Sequence, residues 1–436
     1  MFQRKLIAVL GLVAMLAVTA GVSQASKSRV ESMGLNSPTL SAFTDDDANI
    51  FFFPTSVVRQ NNLVVAEVGN NPSGSTGFFP SDQSMTIVRN FPKFGAIGYQ
   101  MSQNAINSPS DIADNLRNKQ VDLIWGKAFT KVDFAVRLDA TNSGWSNSTT
   151  VGGVTVNEEV KGFGDTFGPN LFPNGIAGDS DVEINTMGFT PAIAIHMAND
   201  NRFEAAVTYR TYSLDNTFSV SSTPAAAEEW ADDGSASYAL IARLIMNKGD
   251  KHTLIPAGWY QSDDLSWKYT AGGDPAQTRS ADETYKSYGV GISDNMKVND
   301  NNLLLWGVQV NSMKHKFERN DANIVAGDLS TSDDTESTTP IIFVGLETDA
   351  TKWLKVRMGA HQSYFSFKNE TVDLGGFQST TKLHGSSFDF SLGTGIRWNN
   401  LDVDMTLNPV FPLSGGYILS GDQATPFTRV SAVYHF

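Results

Sequence analysis

Two residues of this 436-residue chain have the types and spacing of a catalytic pair, His361 and Ser363. A histidine can act as a general base, and a serine close to it can act as a nucleophile. Both side chains fall on one face of a predicted strand, but the sequence offers no identifiable polar partner to orient the His361 ring. Because the pair lacks that third group, we predict that the chain is not an enzyme.

The spacing of this pair resembles the His-x-Ser element of outer-membrane phospholipases. In that family an asparagine follows the serine, whereas Tyr364 holds the position here. The predicted register also turns His361 and Ser363 towards the interior of a barrel, away from the lipid in which a phospholipid substrate lies. The resemblance therefore does not alter the prediction.

The remaining reactive residues predict no metal and no cofactor. The chain has no cysteine, which excludes thiol catalysis, disulfides and Cys-ligated metals. No glycine-rich phosphate-binding loop precedes a predicted helix. The other histidines form neither an HxxxH motif nor a carboxylate-paired cluster: His196, His252, His315, His384 and His435.

Composition narrows the class of protein further. Charged residues make up 18% of the chain, below the roughly 25% typical of soluble proteins, which disfavours a soluble multidomain enzyme. The formal net charge is −14, and phosphate binding needs a basic surface. We therefore expect no nucleic acid partner.

Residues 1–25 are predicted to be a signal peptide. Arg4 and Lys5 precede an apolar stretch from residue 6 to 22, and Ser23-Gln24-Ala25 supplies the small residues that signal peptidase requires. If it were not cleaved, the same stretch would anchor the chain in the membrane. No other stretch is apolar for about 18 residues, so no membrane-spanning helix is expected after cleavage.

Residues 61–436 alternate between apolar and polar residues, which is the period of β-strands. In 387–398, for example, Phe388, Phe390 and Trp398 share one face. Tight turns such as Asn399-Asn400 alternate with long loops such as 214–234 and 318–337, the longest being 141–181, as in bacterial outer-membrane barrels. The sequence thus predicts an all-β fold, a transmembrane antiparallel β-barrel of 14 to 16 strands. The lower number applies if the hairpin within 63–90 belongs to a plug.

The alternation also assigns side chains to the two faces of the wall. The following charged residues are predicted to face the lumen: Arg137, Arg210, Arg243, Arg357, Arg397, Asp133, Asp389, Asp402 and Asp404. Aromatic residues on the other face are predicted to form two girdles at the lipid interfaces. The girdle beside the short turns comprises Phe129, Phe203, Trp398 and Phe436, and the girdle towards the long loops comprises Tyr209, Tyr238, Trp259 and Tyr364.

The chain ends in the middle of a predicted strand with Phe436, and Tyr434, Ala432 and Val430 share its face. This ending resembles the C-terminal signature by which outer-membrane barrels are delivered to the barrel assembly machinery. The resemblance implies that this machinery is a partner and that the protein resides in the bacterial outer membrane.

Residues 26–60 do not alternate and are predicted to be a short N-terminal plug. Met33-Gly34, Asp46-Asp47-Ala48 and Pro54 resemble the start of the long-chain fatty acid transporter family and its secretion-associated barrel relatives, although Phe53-Pro54-Thr55 replaces an Asn-Pro-Ala-like element. The resemblance implies a segment that plugs the lumen through Phe43, Phe51, Phe52, Phe53 and Pro54. The phenylalanines could instead pack outside the first strand. Asp45 to Asp47 could hold a cation, but such a run more often caps a turn or helix.

The predicted function is the passage of small molecules across the outer membrane, with membrane lipid and a solute as partners. The family resemblance implies a hydrophobic or amphipathic solute that binds among apolar residues of the plug and long loops. One alternative is a general diffusion porin, in which the apolar residues of the 141–181 loop fold inward and narrow the pore. Another is a structural or secretion-partner barrel without a transport role.

Overall fold

A computed structural model describes most of the chain. It covers residues 26–35, 38–60, 62–69, 82–105, 117–148, 150–151, 154–155, 178–220, 228–271, 278–321, 329–372, 378–408 and 426–436. The predicted signal peptide and most of the 141–181 loop lie outside these residues. Within them, no helix is long and apolar enough to cross a membrane.

The strands form one closed antiparallel barrel of 16 strands. They are β1 (Leu63–Gly69), β2 (Asp82–Phe91), β3 (Gly95–Ala105), β4 (Arg117–Ala128), β5 (Val132–Ser148), β6 (Gly178–His196), β7 (Arg202–Val220), β8 (Glu228–Asp232 and Ala236–Lys248), β9 (His252–Ala271), β10 (Thr278–Asn299), β11 (Asn302–Asp321), β12 (Leu329–Asp349), β13 (Leu354–Val372), β14 (Gln378–Trp398), β15 (Leu401–Leu407) and β16 (Phe427–His435). Thr150–Val151 and Val154–Thr155 form a small separate hairpin.

The first and last strands close the barrel. Leu63 opposes His435, and Gly69 opposes Arg429. The other edge of β1 pairs with β2, so the hairpin within 63–90 belongs to the wall and not to a plug. This settles the predicted range of 14 to 16 strands at the upper number. β8 counts as one strand because both of its pieces pair with β7 and β9.

Many strands continue further towards the long loops than the alternation predicts. The segments 214–234 and 318–337 were expected to be loops, but β7 continues to Val220, and β12 already begins at Leu329. Residues 329–337 are mostly polar on both faces. Beyond the membrane neither face of a strand needs to be apolar. The backbone hydrogen bonds between strands therefore continue there, although the sequence no longer alternates between apolar and polar residues.

The tight turns set the register at the opposite rim. In the Asn399-Asn400 turn, Asn399 adopts a φ of 55°, which a two-residue hairpin needs. Trp398 consequently opposes Leu401, and Arg397 opposes Asp402. Trp398 is 67% exposed on the outer face, whereas Asp402 is buried.

Large apolar side chains are exposed on the outer face, as expected of a wall that contacts lipid. Examples are Leu123, Val290 and Ile342. The girdle assignment was wrong for Trp259, because Tyr260 is the residue on the outer face and Trp259 points inward. Because two aromatic residues are adjacent here, the alternation does not show which of them lies on the apolar face.

Residues 26–60 lie within the ring of strands. They form helices α1 (Lys27–Ser32) and α2 (Pro38–Ser41) and two 3₁₀ turns, Asp47–Phe51 and Pro54–Val58. Helix α1 contacts β13 to β16, and the second 3₁₀ turn contacts β3 to β6, on the other side of the barrel. The backbones approach closely at Gly34, which has a φ of +80° and leaves no room for a Cβ beside Ala360. The Asp46 side chain caps the first 3₁₀ turn by accepting a hydrogen bond from the Ala48 amide.

Candidate functional site

A cavity of about 710 Å³ lies inside the barrel against residues 26–60. Apolar side chains of this N-terminal segment line one side: Val30, Leu35, Ala48, Phe51 and Phe52. The wall supplies mostly polar groups: Gln100, Ser102, Gln120, Arg137, Thr208, Arg210, Ser237, Gln261 and Arg429. The segment also contributes polar residues, Lys27, Glu31, Thr39 and Ser41, and the wall also contributes Ala239, Ile241 and Trp259. Apolar and polar groups therefore line the cavity from both sides, with the polar groups more frequent on the wall.

Trp259 is the largest apolar contribution of the wall to this cavity. Its ring lies over Gly289 of the neighbouring strand, where a Cβ would have no room. It also packs against the apolar cluster formed by Phe43, Phe53, Leu305 and other buried residues. Trp259 thus belongs both to the apolar contact between the segment and the wall and to the lining of the cavity.

One buried glutamate, Glu347, ties helix α1 to the wall. Arg29 Nε of the helix lies 2.7 Å from Glu347 Oε2, and Arg357 Nε lies 2.6 Å from the same oxygen. Arg357 also donates to Asp404 at 2.6 Å, and Asp404 accepts a hydrogen bond from Ser26 at 2.8 Å. Because these charges are buried, removal of one partner would leave an uncompensated charge.

A second buried glutamate, Glu204, plays the same role on the other side of the barrel. Arg243 Nε lies 2.6 Å from Glu204 Oε2, and Arg202 Nε lies 2.8 Å from Oε1. The N-terminal segment contributes Arg59, whose Nη2 lies 2.7 Å from Oε1. Arg243 also donates to the carbonyl oxygens of Ala42 and Thr44. Each glutamate therefore joins one segment arginine to cations of the wall.

The arginines that face the cavity are also paired. Arg137 donates to Asp122 at 2.7 Å and to the Phe51 carbonyl at 2.6 Å. Arg210 Nη2 lies 2.9 Å from Asp139. On the opposite side, Arg429 Nε contacts both carboxylate oxygens of Glu31 at 2.9 Å.

The structure brings most of the charged residues predicted to face the lumen into these groups, but two pairs stand apart. Arg397 Nε donates to Asp402 at 3.1 Å near the short-turn rim. Asp389 lies 3.0 Å from His361 Nε2. Asp133 belongs to the Glu204 side, since it lies 3.9 Å from Arg59, and it also contacts His196 Nε2 at 2.8 Å.

Several histidines have a single carboxylate partner on a neighbouring strand, which the sequence analysis did not identify. His252 lies 2.9 Å from Asp294, and His315 lies 2.7 Å from Glu283. His361 donates a hydrogen bond through Nδ1 to the Gly34 carbonyl oxygen, at 3.1 Å, in addition to its contact with Asp389. These pairs join different strands or the segment and the wall, so sequence spacing does not reveal them. In the part of the chain that the structure describes, no three histidines or acidic residues form a metal-binding group.

The predicted plug residues divide into two sets. Phe43, Phe53 and Pro54 are buried, and Phe43 packs on Phe343 with ring centres 5.4 Å apart. Phe51 and Phe52 are only partly buried and line the cavity. Full burial of a phenylalanine side chain stabilises a protein by roughly 1.5 to 3 kcal/mol. The buried set therefore holds the segment against the wall, whereas Phe51 and Phe52 shape the cavity.

Contacts with the wall shift the ionisation of the segment in two directions. Burial raises the pKa of Glu31 above its ordinary value near 4.5, although Arg429 opposes this shift. For Arg29, burial by itself lowers the pKa, but the carboxylates of Glu347 and Asp46 outweigh it and raise the pKa above its ordinary value. Arg29 therefore stays charged at any pH at which its partners are ionised.

Sequence reasoning missed the residues that hold the segment: Arg29, Arg59, Arg202, Glu204 and Glu347. Arg29 and Glu347 are 318 positions apart, and only the closed barrel brings them together. One signal was present, because Glu204 and Glu347 occupy inward positions of alternating strands, where a charged residue needs a partner.

A closed antiparallel wall with an apolar exterior, a charged interior and tight turns at one rim is the architecture of bacterial outer-membrane barrels. This protein is an outer-membrane β-barrel. No family model matches the chain, and no curated protein matches it.

The chain is similar in fold to solved outer-membrane proteins. A toluene transporter of Pseudomonas putida, TodX, is 9% identical, with a TM-score of 0.42, and the match covers 95% of this chain and 97% of that one. The copper transporter OprC is 10% identical, with a TM-score of 0.40 over 79% of this chain and 60% of that one. The ferric yersiniabactin receptor FyuA of Yersinia pestis is 8% identical, with a TM-score of 0.37 over 80% and 68%.

Proposed function

We propose that this protein takes up an amphipathic small molecule across the outer membrane and that residues 26–60 form a movable plug. The observation that carries the proposal is the 710 Å³ cavity, whose lining combines apolar side chains such as Phe51, Phe52 and Trp259 with many polar groups of the strands. A ligand with an apolar body and a polar group can contact both kinds of lining. Uncharged polar groups suit the wall best, because Arg137, Arg210 and Arg429 already have carboxylate partners.

The proposed route begins at the long-loop end. The polar residues that line the cavity, such as Gln100 and Gln261, lie further along their strands from the short turns than do Glu204 and Glu347, which hold the segment. The solute would enter from outside, rest on the segment, and pass to the periplasm when the segment moves relative to the wall.

The resemblance of Met33-Gly34 and Asp46-Asp47-Ala48 to the long-chain fatty acid transporter family supports the plug assignment. Gly34 touches β13, and Asp46 both caps a 3₁₀ turn and binds Arg29, so each of these elements has a structural role in seating the segment. A long apolar substrate does not follow from this, since the wall of the cavity is rich in amides and hydroxyls.

Single-channel recording in planar bilayers tests the proposal. The intact protein is expected to show no stable large conductance, while a variant without residues 26–60 should open in large steps. Large open steps from the intact protein would instead establish a diffusion porin. If both proteins are silent and neither binds N-phenyl-1-naphthylamine, a small uncharged amphipathic dye, the transport role is wrong and a partner role is favoured.

A further inference from the structure

A row of lysines crosses the outer face of the barrel on one side. Across β10 to β14, Lys286 opposes Lys314, Lys314 opposes Glu336, Glu336 opposes Lys368, and Lys368 opposes Lys382. We call these five residues the lysine row. Each is exposed or half-exposed, and each lies on the same face of its strand as the lipid-facing apolar residues.

The lysine row lies just beyond the apolar band. Val290 and Val310, both exposed, occur four residues closer to the short turns than Lys286 and Lys314. The positions between carry polar or amphipathic residues: Tyr288, Ser312, Thr338, Ser366 and His384. At about 3.4 Å per residue and a tilt of about 40°, the row is roughly 35 to 45 Å from the short-turn rim, beyond an apolar band about 25 Å tall. This is the level of the polar groups of the outer leaflet.

The positive charge is local to this side. On the opposite side, the row at the polar edge of the band contains one lysine: Gln103, Lys119, Asn142, Asn185 and Ser213. The chain as a whole has a net charge of −14. Four lysines and one glutamate in adjacent positions therefore form a basic patch on an acidic protein.

The row has cationic groups available for a ligand. Lys314 contacts Glu336 at 2.9 Å and Asp334 at 3.3 Å, and Lys368 contacts Glu370 at 2.9 Å, but both ammonium groups are in solvent-accessible positions. Among the described residues, no carboxylate forms an ion pair with Lys286 or Lys382 at the two ends of the row. A lysine ammonium binds phosphate as a point charge, and each basic group near an anionic membrane surface strengthens binding about fivefold.

We propose that the lysine row binds the phosphate groups of a lipid in the outer leaflet of the outer membrane. The acyl chains of this lipid lie against Val290, Val310 and the apolar residues below them, and its phosphates reach the ammonium groups of the row. Two features select this occupant: the row continues directly from the lipid-facing band, and its charge is opposite to that of the phosphates. A soluble anion would use only the second feature.

Native mass spectrometry of the purified barrel tests this proposal, with diphosphorylated lipid A as the probe and the same lipid without its phosphates as the comparison. The variant K286Q/K314Q/K368Q/K382Q removes the four positive charges of the row. The variant K127Q/K131Q/K248Q/K251Q removes the same charge at the short-turn rim and serves as the matched control. Resistance of each folded barrel to unfolding in SDS without heating confirms that all three proteins are folded.

The wild-type barrel and the rim control should retain the diphosphorylated lipid, and the row variant should retain at least about tenfold less. Replacement of the same four lysines by arginine should preserve binding, because the charge is kept. Equal retention by the row variant and the wild type would overturn the proposal. It would also be overturned if the lipid without phosphates bound as well as the phosphorylated lipid, since the acyl chains would then account for the contact.

Discussion

The guanidinium of Arg243 lies 4.1 Å from the centre of the Phe53 ring, and both side chains are completely buried. Arg243 therefore contacts the segment at the Phe53 ring and at two backbone carbonyl oxygens, and it shares the carboxylate of Glu204 with Arg59 of the segment. Arg243 thus takes part in both the apolar and the ionic contacts that attach the segment to the wall.

Removal of the Arg243 charge should release the segment. In Arg243→Met, Glu204 loses one of its buried cations, and the loss of one partner of a buried ion pair costs about 3 to 5 kcal/mol. Limited proteolysis should then cut within residues 26–60 much faster than in the wild type. Arg397→Met serves as the control and should change cleavage little, because Arg397 is partly exposed and its side chain pairs, among the described residues, with Asp402 alone. Equal protection in both variants would show that Arg243 does not hold the segment.

The buried and the partly buried phenylalanines of residues 26–60 should respond differently to truncation. Phe43→Ala empties a fully buried site against Phe343, which costs about 3 to 5 kcal/mol, whereas Phe52→Ala removes a partly buried ring beside open space and should cost less. The difference in stability is measured by titrating each variant with denaturant and following the protection of residues 26–60 from proteolysis. An equal loss in both variants would contradict the division into holding and lining residues.

Trp259 should contribute to binding of an amphipathic ligand. Trp259→Ala is expected to weaken binding of N-phenyl-1-naphthylamine about fivefold to tenfold, because it removes aromatic surface from the cavity. Trp306→Ala removes the same side chain from the lipid face, where Trp306 is 51% exposed, and should leave the affinity unchanged. Fluorescence titration of the dye measures both, and equal affinities in the two variants would place the dye outside the cavity.

Attachment of the segment should weaken as Glu31 ionises. Its pKa is raised, chiefly by burial, so the folded protein binds this proton more tightly than the unfolded chain does. Stability therefore falls as the pH rises from about 4.5 through the raised pKa. Glu31→Gln removes this titration, so its stability relative to the wild type should increase across that window. Proteolytic protection measured from pH 4 to pH 8 checks the sign, and a relative stability that decreases with pH would contradict it.

The barrel could be predicted from the sequence because its wall obeys local rules. Alternation identifies each strand within the membrane, and the Asn399-Asn400 turn fixes the pairing of Arg397 with Asp402. Alternation fails as a guide where the strand has left the membrane or where two adjacent residues are both apolar. Residues 329–337 form a strand without an apolar face, and the adjacent Trp259 and Tyr260 fit either register by hydrophobicity alone.

The attachment of the segment is of a different kind, because it depends on residues that are distant in the chain. The sequence shows that Phe43 and Phe53 need burial, but not that Phe43 meets Phe343. It shows that Glu347 is charged on an inward face, but not that Arg29 neutralises it. Such pairs follow from the closure of the barrel around the segment, and no local pattern in the sequence predicts them.

A reversible cross-link between the segment and the wall tests the central claim that the segment moves. Ser28 Oγ of α1 and Ser431 Oγ of β16 are 2.7 Å apart and buried, and the chain has no cysteine of its own. In Ser28→Cys/Ser431→Cys, a disulfide should form only between these two positions, and each single substitution serves as a control. Entry of N-phenyl-1-naphthylamine into cells that carry the oxidised double variant should fall to the level of cells without the protein, and a reductant should restore it. Undiminished entry through a fully cross-linked barrel would contradict the account.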